Sequence, residues 1–286
     1  MKKNAVIDIG SNSVRLMVVA DGKVLYKTLE ITRLGEGLAA TGVLSAQALE
    51  RTAVAVANFY KKAKTEGAEE VVAFATAAAR SAKNGGDFVK RSAEICPLQV
   101  QIISGEEEAE IGILGALGDK DGGIIDVGGA STEIILRKQG VVVYKKSVDV
   151  GVVRLKDLCG REVPVLKAHS ENAVKAFGEV GATELCAIGG TATSIASIAL
   201  DQKVYDGQAV TGYALTPQKI ARVIDYLAKT PVEQVVAETC VPEKRAEVLL
   251  GGAVWLLTVM QELGVEKLVC SDADNLEGYA VKHGLL

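Results

Sequence analysis

The residues best able to do chemistry come in two matched sets. Asp8, Gly10, Ser11, Asn12 and Ser13 stand in the run DIGSNS, and Asp126, Gly128, Gly129, Ala130, Ser131 and Thr132 in DVGGAST, 118 residues further on. Glycine lets the backbone turn tightly and approach an anion closely. Successive N–H groups in such a turn make an anion-binding concavity, and serine and threonine hydroxyls add donors. The aspartate just before each turn is placed to hold a hard cation, directly or through water; Mg²⁺ beside phosphate oxygens is the usual case. One Asp-x-Gly by itself is an ordinary hairpin turn. Two equivalent copies argue for phosphate binding. A third junction, Gly189-Gly190-Thr191, puts backbone donors and a helix N-terminus near an anion, and takes its meaning from the other two.

The match that positions these residues is longer than the turns. Ile7–Lys27 aligns on Ile125–Lys145 without a gap, Gly22 falling on Gly140 and Tyr26 on Tyr144. Each copy is a short apolar run ending in Asp, a small-residue turn, a second apolar run and a Gly-containing turn, which reads as a β-hairpin. Two copies at domain-sized spacing imply two related lobes, not a solenoid, with the turns facing one ligand across an interdomain cleft. Glu133 occupies the repeat position held by Arg15, so the lobes differ in charge where they should differ in role.

Between the hairpins the pattern predicts a helix over 44–64 capped by Ser45, a strand over 70–75, a helix over 87–95 and a strand over 98–103. Ser104-Gly-Glu-Glu107 then has capping-box spacing and opens a helix through Leu117. Later helices are expected near 170–178, 192–200, 217–228, 246–263 and 275–283, with strands at 185–188 and 267–271. Strands alternating with helices give an α/β fold. The lobes are assigned to 1–118 and 119–286, the last helix (about 275–286) packing back on the first lobe.

With 286 residues, nearly half of them apolar, the chain can bury two cores of ordinary domain size. A net charge of −4 speaks against a general nucleic-acid binder. Five scattered cysteines without a CxxC pair read as reduced thiols of a cytoplasmic protein. Asp8 interrupts the first apolar run and argues against a signal peptide. The longest apolar stretch, Val248–Met260, is too short to span a bilayer and reads as a core helix, so no membrane is expected. The late helices offer apolar surface for a homodimer.

Six elements in one order now become specific: DIGSNSVRL, TRLGEGL (32–38), SGEEEA (104–109), DVGGASTE (126–133), AIGGTA (187–192) and SDADNLEG (271–278). Together the chain resembles the exopolyphosphatase/guanosine pentaphosphate phosphatase family of the acetate-kinase, sugar-kinase, Hsp70 and actin superfamily, in its short two-domain form. The resemblance implies two ribonuclease-H-like (actin-like ATPase) lobes, a bound Mg²⁺ with Mn²⁺ as its substitute, and inorganic polyphosphate or guanosine pentaphosphate as substrate. It implies Glu108 as the base that activates water, Glu133 with Asp126 at the metal–water site, Asp8 as a further metal ligand, and Arg80 as a phosphate grip. Glu107 rivals Glu108, but the capping box gives it a structural task. Arg33 and a basic track of Lys83, Lys90 and Arg91 are weaker candidates. Two departures stand out: Ala130 replaces a third glycine, and Asn275 lies in a segment where Gly-Leu-Arg is commoner.

The leading expectation is hydrolysis of terminal orthophosphate from polyphosphate, with the same chemistry on guanosine pentaphosphate as the alternative. A phosphotransferase would need an acceptor motif that is not recognisable here. A non-catalytic polyphosphate or nucleotide sensor is the remaining reading.

Overall fold

A computed structural model describes residues 2–286. The chain divides into two compact units, Met1–Gly115 with Asn275–Leu286, and Ala116–Asp274. The first unit opens with an antiparallel meander, β1 (Lys3–Ile9), β2 (Ser13–Ala20) and β3 (Lys23–Ile31). It continues through α1 (Leu38–Thr41), α2 (Ala46–Thr65), β4 (Ala68–Ala75), α3 (Ala77–Ser81), α4 (Gly85–Ile95), β5 (Val100–Ile102) and α5 (Gly105–Leu117), whose last turn reaches the division. The sheet order is β3-β2-β1-β4-β5, with β4 and β5 parallel to β1.

The second unit repeats this plan with β6 (Gly122–Val127), β7 (Thr132–Lys138) and β8 (Val141–Val148). Next come α6 (Val152–Cys159), α7 (Val163–Ala173), β9 (Glu184–Ile188), α8 (Gly189–Ala199), α9 (Gly207–Val210), β10 (Ala214–Leu215), α10 (Pro217–Lys229), α11 (Val232–Glu238), α12 (Glu243–Leu263) and β11 (Lys267–Cys270). Its order is β10-β11-β9-β6-β7-β8. Without the added edge strand β10, the two sheets have one topology. The final helix, α13 (Asn275–Lys282), belongs to the first unit.

Each repeated segment is thus a hairpin plus the first part of a third strand. The second corner of each meander shows why the repeat keeps its glycine. Asp21-Gly22 sit at φ 48° and 73°, and Gln139-Gly140 at φ 53° and 73°. Two successive left-handed residues make the type I′ turn that matches strand twist.

Strands β1 and β2 of the first sheet are buried on both faces, so they read as nearly continuous apolar runs. Ala5, Ile7 and Ile9 of β1 belong to a core that includes Val56 and Phe59 of α2 and Phe88 of α4. Val6, Met17, Val19 and Phe74 pack on the other face with Ile111 of α5 and Leu276, Tyr279 and Ala280 of α13. In the second unit α12 is the core helix. It is 21 residues long, longer than the apolar stretch suggests and sufficient by length and composition to cross a membrane. It is nevertheless buried along most of its length, with Trp255, Leu256 and Val259 fully enclosed.

Other boundaries differ for local reasons. The helix expected at 170–178 starts at Val163, where Pro164 sits in the first turn and lacks only an N–H that would have no partner there. Helix α8 starts at Gly189, so the Gly-Gly-Thr run is its first turn. The short α6 was not expected.

Candidate active site

The two candidate phosphate turns have the same backbone. Gly10 N–H donates to Ser13 O, and Gly128 N–H to Ser131 O, each at 2.9 Å. The carbonyls of the turns are tied down alike: Gly35 N–H donates to Ser11 O, and Val153 N–H to Gly129 O, each at 2.8 Å. Residues 35 and 153 are again 118 apart, so the duplication outlasts the visible sequence match. In the second unit the donors come from the first turn of α6, with Val152 N–H on Gly128 O at 3.0 Å. In the first they come from the TRLGEGL run, where Thr32 and Arg33 N–H meet Asn12 O. Arg33 itself sits at φ 50°, a left-handed conformation few non-glycine residues adopt.

Ala130 is compatible with its turn. It is buried, and it is not among the positive-φ residues, so its Cβ brings no left-handed strain. Neither Gly10, Gly128 nor Gly129 lies at positive φ. What a side chain at Gly10 or Gly128 would meet is a carbonyl across the turn, at 3.3 Å in both copies.

Strand register sets the neighbour of each aspartate. Asp8 pairs in register with Arg15, and Asp126 with Glu133. Side chains directly opposite on an antiparallel pair share a face. In the first unit this produces an ion pair: Arg15 binds Asp8 Oδ2 through Nε at 2.9 Å and also through Nη2. This ion pair engages Oδ2 of Asp8, the residue expected to hold a cation. In the second unit the same positions bring two carboxylates together on the sheet face opposite Ile125, Val127, Ile134 and Leu136 of the core. Glu133 is 4% exposed and its Oε1 accepts a hydrogen bond from Ser147 Oγ at 2.6 Å. Like charges opposed in this way are unfavourable unless a cation joins them. Two carboxylates with room for waters and phosphate oxygens are a donor set suited to Mg²⁺. No cluster of three or more His, Cys, Asp or Glu with metal-binding geometry occurs among the described residues.

Gly189 explains itself at this point. It sits at φ 78°, and a methyl group there would run into Asp126 Oδ1, with Cγ at 3.3 Å. The first turn of α8, whose N–H groups lack intrahelical partners, thus begins against the aspartate. Gly190 lies under the Arg245 guanidinium, the built Cβ being 2.6 Å from Nη2.

One hydroxyl expected to bind phosphate has a structural task. Thr132 is fully buried; it donates to Val150 O at 2.6 Å and accepts from Trp255 Nε1 at 2.8 Å. Its only proton is engaged, so its assignment as a phosphate donor is corrected. Thr191 Oγ1 donates to Val127 O at 2.7 Å, which leaves the expectation for this residue on its backbone N–H in the first turn of α8. Ser11 and Ser131 are buried in the turns, Ser13 is half-buried, and Asn12 Oδ1 is a buried acceptor with no protein donor. We expect Thr132→Val, nearly isosteric, to lower stability by about 2–4 kcal/mol, because it orphans the Val150 carbonyl and the Trp255 N–H together. Denaturant melts followed by Trp255 fluorescence check this.

In the first unit Glu108 and Arg80 meet. Arg80, on α3 and not at the strand end itself, directs Nη1 to Glu108 Oε2 at 2.8 Å and to Ile103 O at 3.1 Å. Glu108 is 8% exposed on the first turn of α5. Its rivals have other surroundings. Ser104 Oγ accepts from Glu107 N–H at 3.0 Å, completing one half of the capping box. The Glu107 carboxylate pairs with Lys282 at 3.0 Å, which holds it below the usual carboxylate range, the Ser104 N–H adding a smaller effect. Glu106 is exposed. Arg91 is bound by Glu50 and Glu94, which removes it from the basic track.

Ser147 was not singled out from the sequence. A β-bulge between Leu136 and Arg137 shifts the β7–β8 register by one residue and brings Ser147 opposite Glu133. No residue signal marks that bulge.

Two β-meanders, each extended by parallel strands in one topology and each carrying an acid before a small-residue turn, define a duplicated α/β protein of the actin-like ATPase fold. The model of the Ppx/GppA phosphatase family matches residues 5–286, and the chain belongs to that family. It is 29% identical to exopolyphosphatase 2 of Mycobacterium tuberculosis, over 97% of each chain. It is 28% identical to the guanosine-5'-triphosphate,3'-diphosphate pyrophosphatase of Vibrio cholerae, over 99% of this chain and 58% of that one. The crystal structure of the Aquifex aeolicus Ppx/GppA family member superposes with a TM-score of 0.77 at 30% identity, covering 99% and 98% of the two chains. An exopolyphosphatase structure from Cytophaga hutchinsonii shares the fold with a TM-score of 0.87 at 21% identity, covering 100% of this chain and 99% of that one.

Proposed function

We propose that the protein is a Mg²⁺-dependent exopolyphosphatase, releasing terminal orthophosphate from inorganic polyphosphate by attack of water. The observation that carries this reading is the coextension with exopolyphosphatase 2, 97% of both chains, against 58% of the guanosine pentaphosphate relative. The five free cysteines favour a reducing, cytoplasmic setting.

In this reading Glu108 takes a proton from water as oxygen attacks the terminal phosphorus. The new P–O bond forms while the bridging anhydride P–O bond breaks, and the shortened chain leaves as an oxyanion. Arg80, hydrogen-bonded to Glu108, grips the phosphate by its guanidinium fork. The turns at 10–13 and 128–131, with Gly189-Gly190, supply backbone donors. Asp126 and Glu133 would hold the cation; bound there, Mg²⁺ would neutralise phosphate oxygens in a loose transition state, where positioning and electrostatics do most of the catalysis.

Orthophosphate release from short polyphosphate, long polyphosphate and guanosine pentaphosphate, measured in parallel with and without EDTA, tests the proposal. Polyphosphate turnover at least tenfold more efficient and abolished by EDTA is expected. The opposite ranking assigns the nucleotide substrate, and binding without turnover assigns a sensor. Ser147 carries a separate expectation. It positions Glu133, so Ser147→Ala should raise the Mg²⁺ concentration for half-maximal rate by about 10–100-fold, as loss of an outer-shell hydrogen bond does, with little change in rate at saturating metal. A Mg²⁺ titration that superposes on wild type would remove Glu133 from the metal site.

A further inference from the structure

A groove of about 430 Å³ opens in the second unit beside Ile198 and Ala199, the C-terminal end of α8. The candidate phosphate residues Gly189 and Gly190 are at the other end of that helix. At 11 residues, α8 separates the two by about 16 Å. The groove is therefore distinct from the turns described above.

Its chemistry is specific. Lys219, Arg222 and Tyr226 of α10 line it, spaced so that they share a helix face. Lys219 Nζ lies 4.0 Å from the Tyr213 ring centroid and donates to Ala214 O at 2.7 Å. Neither Lys219 nor Arg222 makes an ion pair among the described residues. Two cations three residues apart repel each other, and neither of the groove's two acids, Asp201 and Glu238, forms an ion pair with them. The groove's glutamate, Glu238, is otherwise engaged: its carboxylate accepts from Tyr226 OH at 2.9 Å and from Gln234 Nε2 at 2.7 Å. Lys203 donates to its backbone carbonyl.

We propose that this groove is a second ligand site, which takes a mononucleotide. The phosphate lies against Arg222 and Lys219, where a guanidinium can hold two of its oxygens in parallel hydrogen bonds. The planar base lies against the tyrosine side of the groove, since aromatic rings favour offset stacking. The volume is within the range of ligand pockets, and the lining joins two tyrosines to three cations, Lys203, Lys219 and Arg222, and two acids. A mononucleotide has no anhydride bond, so the ligand is not itself a substrate of the proposed reaction.

Isothermal titration of the full chain with AMP, GMP, CMP and UMP, and with inorganic phosphate alone, tests this. Arg222→Ala and Lys219→Ala are the variants; Arg222 lies on the solvent side of α10, so its replacement leaves the fold intact. At least one nucleotide should bind with a submillimolar Kd, at least tenfold tighter than phosphate. That binding should weaken at least tenfold in each variant and persist when excess inorganic polyphosphate is present. Orthophosphate release without nucleotide should be unchanged in Arg222→Ala. Absence of nucleotide binding to millimolar concentration overturns the proposal. So does binding insensitive to both substitutions, binding displaced by polyphosphate, or phosphate binding as tightly as the nucleotide.

Discussion

Glu108→Gln should stop orthophosphate release while leaving the protein folded. The substitution keeps the side chain's shape and removes its ability to accept a proton. Positioned general bases contribute about 10²–10⁴-fold, so kcat should fall by that factor with KM changed far less. The neighbourhood makes the test clean. Arg80 retains its bond to Ile103 O, and an amide oxygen can still accept from Nη1, so the guanidinium stays in place. Glu107→Gln is the matched control. Its carboxylate is tied to Lys282, and its loss should cost a modest amount of stability and leave turnover within about twofold, as for other exposed ion pairs. Single-turnover kinetics with thermal melts on both variants decide the matter. If Glu107→Gln silences the enzyme and Glu108→Gln does not, the base has been misassigned.

Gly278→Ala should be the most damaging methyl group that can be added to the first unit. Helix α13 crosses α5 backbone to backbone at this residue. A Cβ would fall on the Ile111 carbonyl, with Ile111 Cα at 2.9 Å, and a backbone obstacle cannot rotate away. Overpacking of this kind typically costs 1–3 kcal/mol, occasionally more, and here we expect about 3 kcal/mol. The rest of α13 resists relief by sliding. Tyr279 stacks on Phe74 with centroids 4.4 Å apart and hydrogen-bonds Gln101 at 3.1 Å. Lys27 pairs with Glu277 at 2.5 Å. The expected signature is a large drop in melting temperature with hydrogen-exchange protection lost in α5 and α13 first. Gly86→Ala provides the contrast. A Cβ at Gly86 meets nothing within 4 Å, and alanine favours the helix, so stability should hold or rise by up to about 1 kcal/mol. Equal losses in the two variants would refute the packing argument.

The carboxylate pair in the second unit shows how duplication can yield new chemistry. Asp8 and Asp126 occupy one position of one topology. The cross-strand residue differs: Arg15 pairs with Asp8 Oδ2, whereas Glu133 stands opposite Asp126 as a second carboxylate. One difference at a repeat position therefore separates an ion pair from a pair of carboxylates. The paired turns still share two hydrogen bonds at equivalent positions.

Much of this was legible without coordinates. The gapless 21-residue match determined the two units, the acid-turn-hydroxyl order and the opposition of charge at residues 15 and 133, because a strand's side chains alternate and a tight turn fixes register. Capping chemistry at Ser45 and Ser104 located α2 and α5. Tertiary structure alone decided which polar groups remain available. Thr132 carries the right hydroxyl in the right motif, but a backbone carbonyl distant in sequence takes its proton. The ion pair between Asp8 and Arg15 formed only once the cross-strand partner was placed on the same face. Ser147 reached Glu133 only through a bulge, and Gly278 mattered only because α13 returns to α5. The physical reason is common to all of them. Local sequence specifies backbone geometry, but whether a polar atom or a missing Cβ matters depends on what the rest of the chain brings within a few ångströms of it.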